Sequence, residues 1–440
     1  MLHMFAVGFG SIIAVTPLLL IFLGVAVGII FGAIPGLTAT MAVALCIPLT
    51  FGMSAVDSMA LLVGLYIGGV SGGLISAILL KIPGTPSSIA TTFDGHPMAR
   101  NGQAGKALGT GVFFSFLGGL FSFLVLFFIS PPLASVALRF GPFEYFAIAV
   151  FSLTMIASVS AGSTVKGLIS GLIGILLASV GTAPIDAYPR FTFGFYELDG
   201  GFNLLPALIG LFAVSEILKA AESSKDITQG DIQDYRIKGL GFTIKEFVGQ
   251  IGNFIRSSLI GTGIGILPGI GGGTSNILSY LTAKKSSKHP EKFGTGIMDG
   301  IVASETANNA SIGGALVPLM TLGIPGDTVT AMLLGGFMIH GVTPGPLLFQ
   351  NSGDLVYAIF AALIVANLVM LGMSYLGMRG FVRLLKIPKY ILLPVIIGLC
   401  VVGSYGLNNR VFDVWSLIFF GFLGYGLEKL KFPLVPVILG

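Results

Sequence analysis

Leu267-Pro268-Gly269-Ile270-Gly271-Gly272-Gly273-Thr274 and Gly323-Ile324-Pro325-Gly326-Asp327-Thr328 decide how this chain folds. Both sit in apolar surroundings, and each is a backbone breaker. Proline removes an N–H donor and glycine releases the helical backbone, so each Pro-Gly pair interrupts a helix and leaves N–H and C=O groups without partners. In lipid such groups are tolerated only where they face protein or a water-filled cavity. Between the breakers lies a polar cluster, Ser304-Glu305-Thr306-Ala307-Asn308-Asn309-Ala310-Ser311. The stretch therefore reads as a binding site built from broken helices.

The rest of the chain fits that medium. Of 440 residues 54% are hydrophobic and only 10% charged, and the mean hydropathy is +0.96. A soluble chain carries roughly 25% charged residues. The fold class is an all-α polytopic membrane protein embedded in a lipid bilayer. The 64 glycines let transmembrane helices approach closely. Two cysteines, Cys46 and Cys400, lie in apolar segments and imply neither a disulfide framework nor a metal cluster. Met1 to Gly10 has no basic leader, so no cleavable signal peptide is expected. The net charge of +4 comes from loop lysines and arginines and bears on topology, with no nucleic-acid partner implied.

Apolar spans fall at about 11–34, 38–52, 58–80, 107–130, 143–161, 167–181, 203–218, 257–283, 297–323, 328–346, 354–378, 390–402 and 414–428. Several are shorter than the roughly 20 helical residues a bilayer requires. Those are candidates for half-helices or re-entrant segments, which leaves about 10–12 membrane segments. Of 23 basic residues, 17 fall in the connections Lys81 to Lys106, Lys219 to Arg256, Lys284 to Lys292 and Arg379 to Lys389. By the positive-inside rule all four are expected to be cytoplasmic. Residues 257–283 would then enter and leave by one face, as a hairpin with its tip at Pro268 to Gly273; a single tilted span with one mis-sided loop is the alternative.

The chain also repeats itself. Gly32-Ala33-Ile34-Pro35-Gly36-Leu37-Thr38-Ala39-Thr40 resembles Gly265 to Gly273, and Ser71-Gly72-Gly73 with Ile82-Pro83-Gly84-Thr85 resembles Ile312-Gly313-Gly314 with Ile324-Pro325-Gly326-Asp327. The Pro-Gly pairs are 48 residues apart in the first half and 57 in the second. On the charge count the two units have opposite orientation, as in secondary transporters with inverted repeats. The expected organisation is a first transport repeat over 1–106, connecting helices over 107–256, a second repeat over 257–346 and C-terminal helices over 347–440.

No arginine or lysine lies within the motif cores, so an anionic substrate has to be met by half-helix N-termini. Pro35, Gly36, Thr38, Thr40, Gly84, Thr85, Ser87 and Ser88 are the candidates in the first half. Pro268, Gly269, Gly271, Gly273, Thr274, Ser275, Pro325, Gly326 and Thr328 are those in the second. Glu305, Asn308, Asn309 and Ile312 share one helix face. Acids inside a membrane mark pathways or cation sites, so Glu305, Asn308, Asn309 and Asp327 are candidate ligands of a coupling cation, with sodium or a proton the ions to consider. Helix packing alone, and an interfacial Glu305, are the bland alternatives. Asp94, His96 and His340 are weaker candidates. Gly69-Val70-Ser71-Gly72 matches the G-x-S-G pattern of rhomboid-type intramembrane serine proteases, with His340 as the one deep candidate base. Such a tetrapeptide is expected by chance among 64 glycines, so the chain is not expected to be an enzyme; a channel or scaffold is the other alternative.

Gly32 to Thr40, Gly265 to Asn276, and above all Ser304 to Asn309 followed by Leu322-Gly323-Ile324-Pro325-Gly326 resemble the large membrane subunit of tripartite tricarboxylate transporters, the TctA family. The resemblance covers nearly the whole chain. It implies a bacterial inner-membrane permease without a prosthetic cofactor, importing citrate-like organic carboxylates by cation symport, typically with sodium. The implied partners are a small four-span membrane subunit and a periplasmic solute-binding protein. Similar proteins continue through a further span where Phe432 to Gly440 begins a new apolar segment, so truncation or a naturally short chain is expected.

Overall fold

Apolar runs punctuated by glycine and proline become helices because a helix satisfies its backbone within its own segment. The computed structural model describes residues 2–159, 163–183, 187–222, 240–384 and 389–439. The first half contains α1 (Leu2–Ile13), α2 (Val15–Ala33), α3 (Ala39–Cys46), α4 (Ala55–Leu80), α5 (Thr91–Met98) and α6 (Ala104–Ala137). Then come α7 (Pro142–Val159), α8 (Thr164–Ala178), a short antiparallel pair of Gly181–Thr182 with Pro189–Arg190, α9 (Leu204–Leu208) and α10 (Ser215–Glu222). The second half contains α11 (Ile244–Ile266), α12 (Gly271–Ser286), α13 (Met298–Leu322) and α14 (Thr328–Ile339). It is followed by α15 (Leu348–Asn351), α16 (Gly353–Leu384), α17 (Lys389–Asn408), α18 (Val411–Lys429) and α19 (Val435–Leu439).

Among the described residues, seven helical stretches are long and apolar enough to cross a membrane: α2, α4, Thr91–Ala137, Leu204–Glu222, Gly353–Phe381, Tyr390–Asn408 and Val411–Lys429. The chain is an all-α polytopic membrane protein. Boundaries differ from the hydropathy reading in several places, these among them. Helix begins at Leu2, the 390–402 run is a 20-residue helix, and the first arm of the 257–283 segment starts at Ile244. There the Thr243 capping box with Glu246 starts a helix within polar sequence. The basic connection after Lys219 lies partly outside the described residues, as does Lys386.

The four breakers have two designs, each used twice. Pro35-Gly36 and Pro268-Gly269 are tight turns: Leu37 N–H donates to Ile34 O at 3.0 Å and Ile270 N–H to Leu267 O at 3.5 Å. Gly36 and Gly269 take φ of 92° and 78°, a region an L side chain enters only under strain. At the other pair, α4 ends on Lys81 and α13 on Gly323 in left-handed conformation. Two residues later comes Pro-Gly, and then a capping box, Thr85 with Ser88 and Asp327 with Thr330. Each turn thus stops one helix and starts another within a few residues.

Small residues hold the pieces together. A Cβ on Gly28 would lie 2.5 Å from Leu65 O, and one on Gly265 would lie 2.5 Å from Ser311 O, so α2 meets α4 as α11 meets α13, backbone against backbone. Helix α13 is polar, yet Met298 and Gly300 to Thr321 are all buried. Its neighbours α4, α5, α6, α11 and α12 shield it from lipid. Alanine at Gly28 or Gly265 is expected to destabilise the protein by roughly 1–3 kcal/mol through overpacking. Gly10→Ala and Gly372→Ala, with nothing within 4 Å of the added atom, serve as neutral controls in thermal melts of the solubilised protein.

Candidate functional site

The four breakers converge on one cavity of about 440 Å³. Its wall takes Thr38 to Thr40 from the start of α3, Thr85 to Ser87 from the turn before α5, Gly269 to Thr274 from the start of α12 and Asp327 to Val329 from the start of α14. Helix starts present N–H groups without intrahelical partners and carry partial positive charge. Capping uses some of them: Thr38 Oγ1 accepts from Met41 N–H at 3.2 Å, and Asp327 Oδ1 accepts from Thr330 N–H at 2.7 Å. The remaining donors lie at the cavity.

Contacts between the halves are reciprocal. The first breaker of one half meets the second breaker of the other: Thr40 Oγ1 lies 2.8 Å from Thr328 Oγ1, and Asn276 Nδ2 donates to Ser87 O. Gly271 is left-handed at φ 63°, and a Cβ there would stand 2.8 Å from Asp327 Cβ. Helix α13 contributes Asn308 and Ser311 to the wall. Asn308 is buried, and neither end of its amide makes a hydrogen bond of normal geometry within the protein. Its amide lies against the Glu305 carboxylate, so the cavity wall and the buried acid meet at this residue.

The candidates separate into groups. Thr38, Thr40, Thr85, Ser87, Gly269, Gly271, Gly273, Thr274, Asn308, Asp327 and Thr328 line the cavity. Pro35, Gly36 and Pro268 shape the turns behind it. Gly84 and Gly326 are packing positions: a Cβ on Gly84 would lie 2.9 Å from Gly73 Cα, and one on Gly326 would lie 2.5 Å from Ala315 Cα. Pro325 precedes the second of these. Ser88 Oγ accepts from Thr85 N–H at 3.3 Å, and Ser275 Oγ donates to Gly272 O at 3.0 Å. Glu305 lies off the wall, fully buried, its carboxylate accepting from Thr91 Oγ1 and from Ser115 Oγ at 2.9 Å. Asn309 joins it, donating to Glu305 O at 3.1 Å and accepting from Ser71 Oγ at 2.7 Å. Among the described residues no group of three histidine, cysteine or acidic side chains is placed to hold a metal ion.

Sequence reasoning missed Tyr66, whose hydroxyl donates to Asp327 Oδ2, and the wall opposite the breakers: Phe212, Glu216, Glu428, Leu434 and Val435. An acid inside the apolar 203–218 run was the available signal for Glu216. Asp94 proved to be a tie. Its Oδ1 accepts from the N–H groups of Gly294, Gly296 and Ile297 at 2.9–3.0 Å, and its Oδ2 accepts from Tyr280 OH at 2.8 Å. That fixes α5 to the loop before α13. The wall carries Glu216, Asp327 and Glu428 and, among the described residues, no lysine, arginine or histidine.

The sequence profile of the tripartite tricarboxylate transporter TctA family matches residues 18–439. The chain belongs to that family. It is 38% identical over 431 residues to an "uncharacterized 52.8 kDa protein in TAR-I ttuC' 3'region" of Agrobacterium vitis, covering 97% of this chain and 85% of that protein. An "uncharacterized protein in TAR-II ttuC' 3'region" of the same organism is 37% identical over 182 residues, 41% of this chain and 74% of the relative. No solved structure matches. As a TctA-family chain it is a multi-pass membrane component of tricarboxylate transporter systems.

The geometry does not pair the residues of the protease alternative. Ser71 bonds Asn309, while His340 Nε2 lies 3.3 Å from Thr50 Oγ1. Ser71→Ala leaves the Asn309 amide oxygen unpaired and is expected to lower stability by roughly 1–3 kcal/mol. Wild type and variant should be equally inactive on a membrane-embedded peptide; hydrolysis lost on removing Ser71 would restore the enzyme reading.

Proposed function

We propose that this chain is the large permease subunit of a binding-protein-dependent secondary transporter that imports organic carboxylates of the citrate type by cation symport across a bacterial inner membrane. The observation that carries this reading is the cavity wall: the starts of α3, α12 and α14 and the capped turn at Thr85 to Ser88, with three acids and no basic side chain among the described residues. Helix starts favour an anion by roughly 0.3–1 kcal/mol each. That is a modest attraction for a substrate with two or three carboxylates beside Glu216, Asp327 and Glu428. A cation entering with the substrate supplies the missing positive charge, so binding of the two is mutually dependent.

The cation is assigned to the α13 side, where Asn308 and Asp327 reach the cavity and Glu305 and Asn309 lie within a turn behind Asn308. Their oxygens are hard ligands of the kind sodium takes, and protonation of an acid would serve the same electrostatic end. The reciprocal Thr40–Thr328 and Asn276–Ser87 contacts support two transport repeats in inverted orientation, 1–106 and 257–346, framed by 107–256 and 347–440. Membership of a tripartite family supports two partners, a small four-span membrane subunit and a periplasmic solute-binding protein that delivers the carboxylate.

Uptake of labelled citrate and other carboxylates by cells expressing the three components, with sodium and proton gradients collapsed in turn, tests the reading. Loss of accumulation with the coupling gradient is expected; equilibration that ignores both gradients would favour a channel. Glu305→Gln keeps the shape and removes the charge. At 1.4 kcal/mol per tenfold step, a loss of a few kcal/mol raises the half-saturating cation concentration by roughly two orders of magnitude. Asn308→Ala should act in the same direction but more weakly, and substrate affinity at saturating cation should change much less. An unchanged cation dependence in Glu305→Gln would return Glu305 to a buried structural acid.

A further inference from the structure

A second cavity, of about 480 Å³, adjoins the central one and has the opposite character. Lys219, Lys429 and Lys431 line it against two acids, Glu222 and Glu428. One ion triad forms the septum between the cavities: Glu216 lines the central cavity, Lys219 the second, and Glu428 both. Lys219 Nζ lies 2.6 Å from Glu216 Oε1 and 2.9 Å from Glu428 Oε2, bridging α10 and α18. Lys429 is held by Glu222 at 2.8 Å, whereas Lys431 has no acidic partner among the described residues.

We propose that the second cavity is an anion station at the mouth of the central one, taking an organic di- or tricarboxylate, and that Lys219 passes the anion across the septum by exchanging its glutamate partners for substrate carboxylates. This rests on the carboxylate reading above. An ammonium has three donors; Glu216 takes one in a hydrogen bond and Glu428 Oε2 stands 2.9 Å away as an ion-pair partner, so a donor is left to meet an arriving carboxylate before either ion pair opens. Without the lysine, Glu216 and Glu428 would present two like charges to an anion leaving or entering the central cavity. With it, the anion and the glutamates compete for one cation. Lys431 is placed to hold the anion's other end, because a lysine without an ion-pair partner gives up none on binding it.

The test uses the full chain with its native cysteines, both of which are buried. Phe432→Cys, or Tyr425→Cys where the first does not fold, places a thiol in the second cavity. In permeabilised membranes its labelling by an anionic thiol reagent is followed against citrate. Citrate should slow the reaction, and Lys219→Gln should raise the half-protecting concentration about tenfold, equivalent to about 1.4 kcal/mol. Lys219→Arg, which keeps the charge, should stay close to the parent; equal loss in both variants would mark a structural role and overturn the proposal. Labelling indifferent to citrate, or protection that survives Lys219→Gln, also overturns it. An anionic lipid headgroup offers the same charge, and protection by phosphatidylglycerol vesicles but not by citrate overturns the carboxylate station. Uptake by intact cells is scored separately: protection without uptake keeps the station and fails the transport reading, and uptake without protection does the reverse.

Discussion

Every polar backbone group that a Pro-Gly pair frees inside the membrane has to find a partner within the protein or at a water-filled surface, and that demand organises the molecule. An unsatisfied N–H or C=O in hydrocarbon costs several kcal/mol, so four breaks are stable only if each is either closed locally or turned toward a shared polar space. The fold does both. Ile34 and Leu267 carbonyls are closed by the turns themselves, and the capping boxes at Thr85 and Asp327 close the next helix starts. The donors left over surround a single cavity, and the site is thus a consequence of interrupting helices where water is scarce.

Bringing four breaks to one place requires unusual closeness elsewhere. In lipid there is no hydrophobic gain from pressing apolar helices together, so association depends on packing and polar contacts. Glycine at 24, 28 and 32 of α2 and at 261 and 265 of α11 removes the side chains that would hold these helices off α4 and α13. The same closeness buries α13 from Gly300 to Thr321, and that burial keeps Glu305, Asn308 and Asn309 away from lipid. Glu305 is then satisfied by hydroxyls from α5 and α6, Thr91 and Ser115, and not by an opposite charge.

Much of this was legible in the sequence because its signals are local. A Pro-Gly pair states its turn in two residues, and Thr85 and Asp327 state a cap in four. Of the site, the motif residues at Thr38, Thr40, Gly271 and Thr328 were recoverable for the same reason. Gly84 and Gly326 were not separable from them, since a glycine needed for packing and one that lines a cavity look alike until the neighbouring backbone is placed. Tyr66 and Glu428 carried no motif at all. They reach Asp327 and the cavity through contacts hundreds of residues apart along the chain, which only the assembled helices bring about.

The two sides of the cavity are built from different kinds of contact, and this bears on how it could open. Ties between the halves that carry the breakers are directional: Tyr66 to Asp327, Ser71 to Asn309, Thr91 to Glu305, and Asp94 to Tyr280 and three backbone N–H groups. Breaking one of these strands a buried polar group, at about 1–3 kcal/mol each, so the two halves hold each other in register. The opposite wall meets the cavity through Phe212, Leu434 and Val435 and through two glutamates whose partner Lys219 lies behind them on α10. Apolar contact has no preferred direction and can slide while staying buried. Among the described residues, the plane along which separation would cost the fewest satisfied polar groups therefore runs between the paired halves and the α10–α18 wall, and the central cavity lies on that plane.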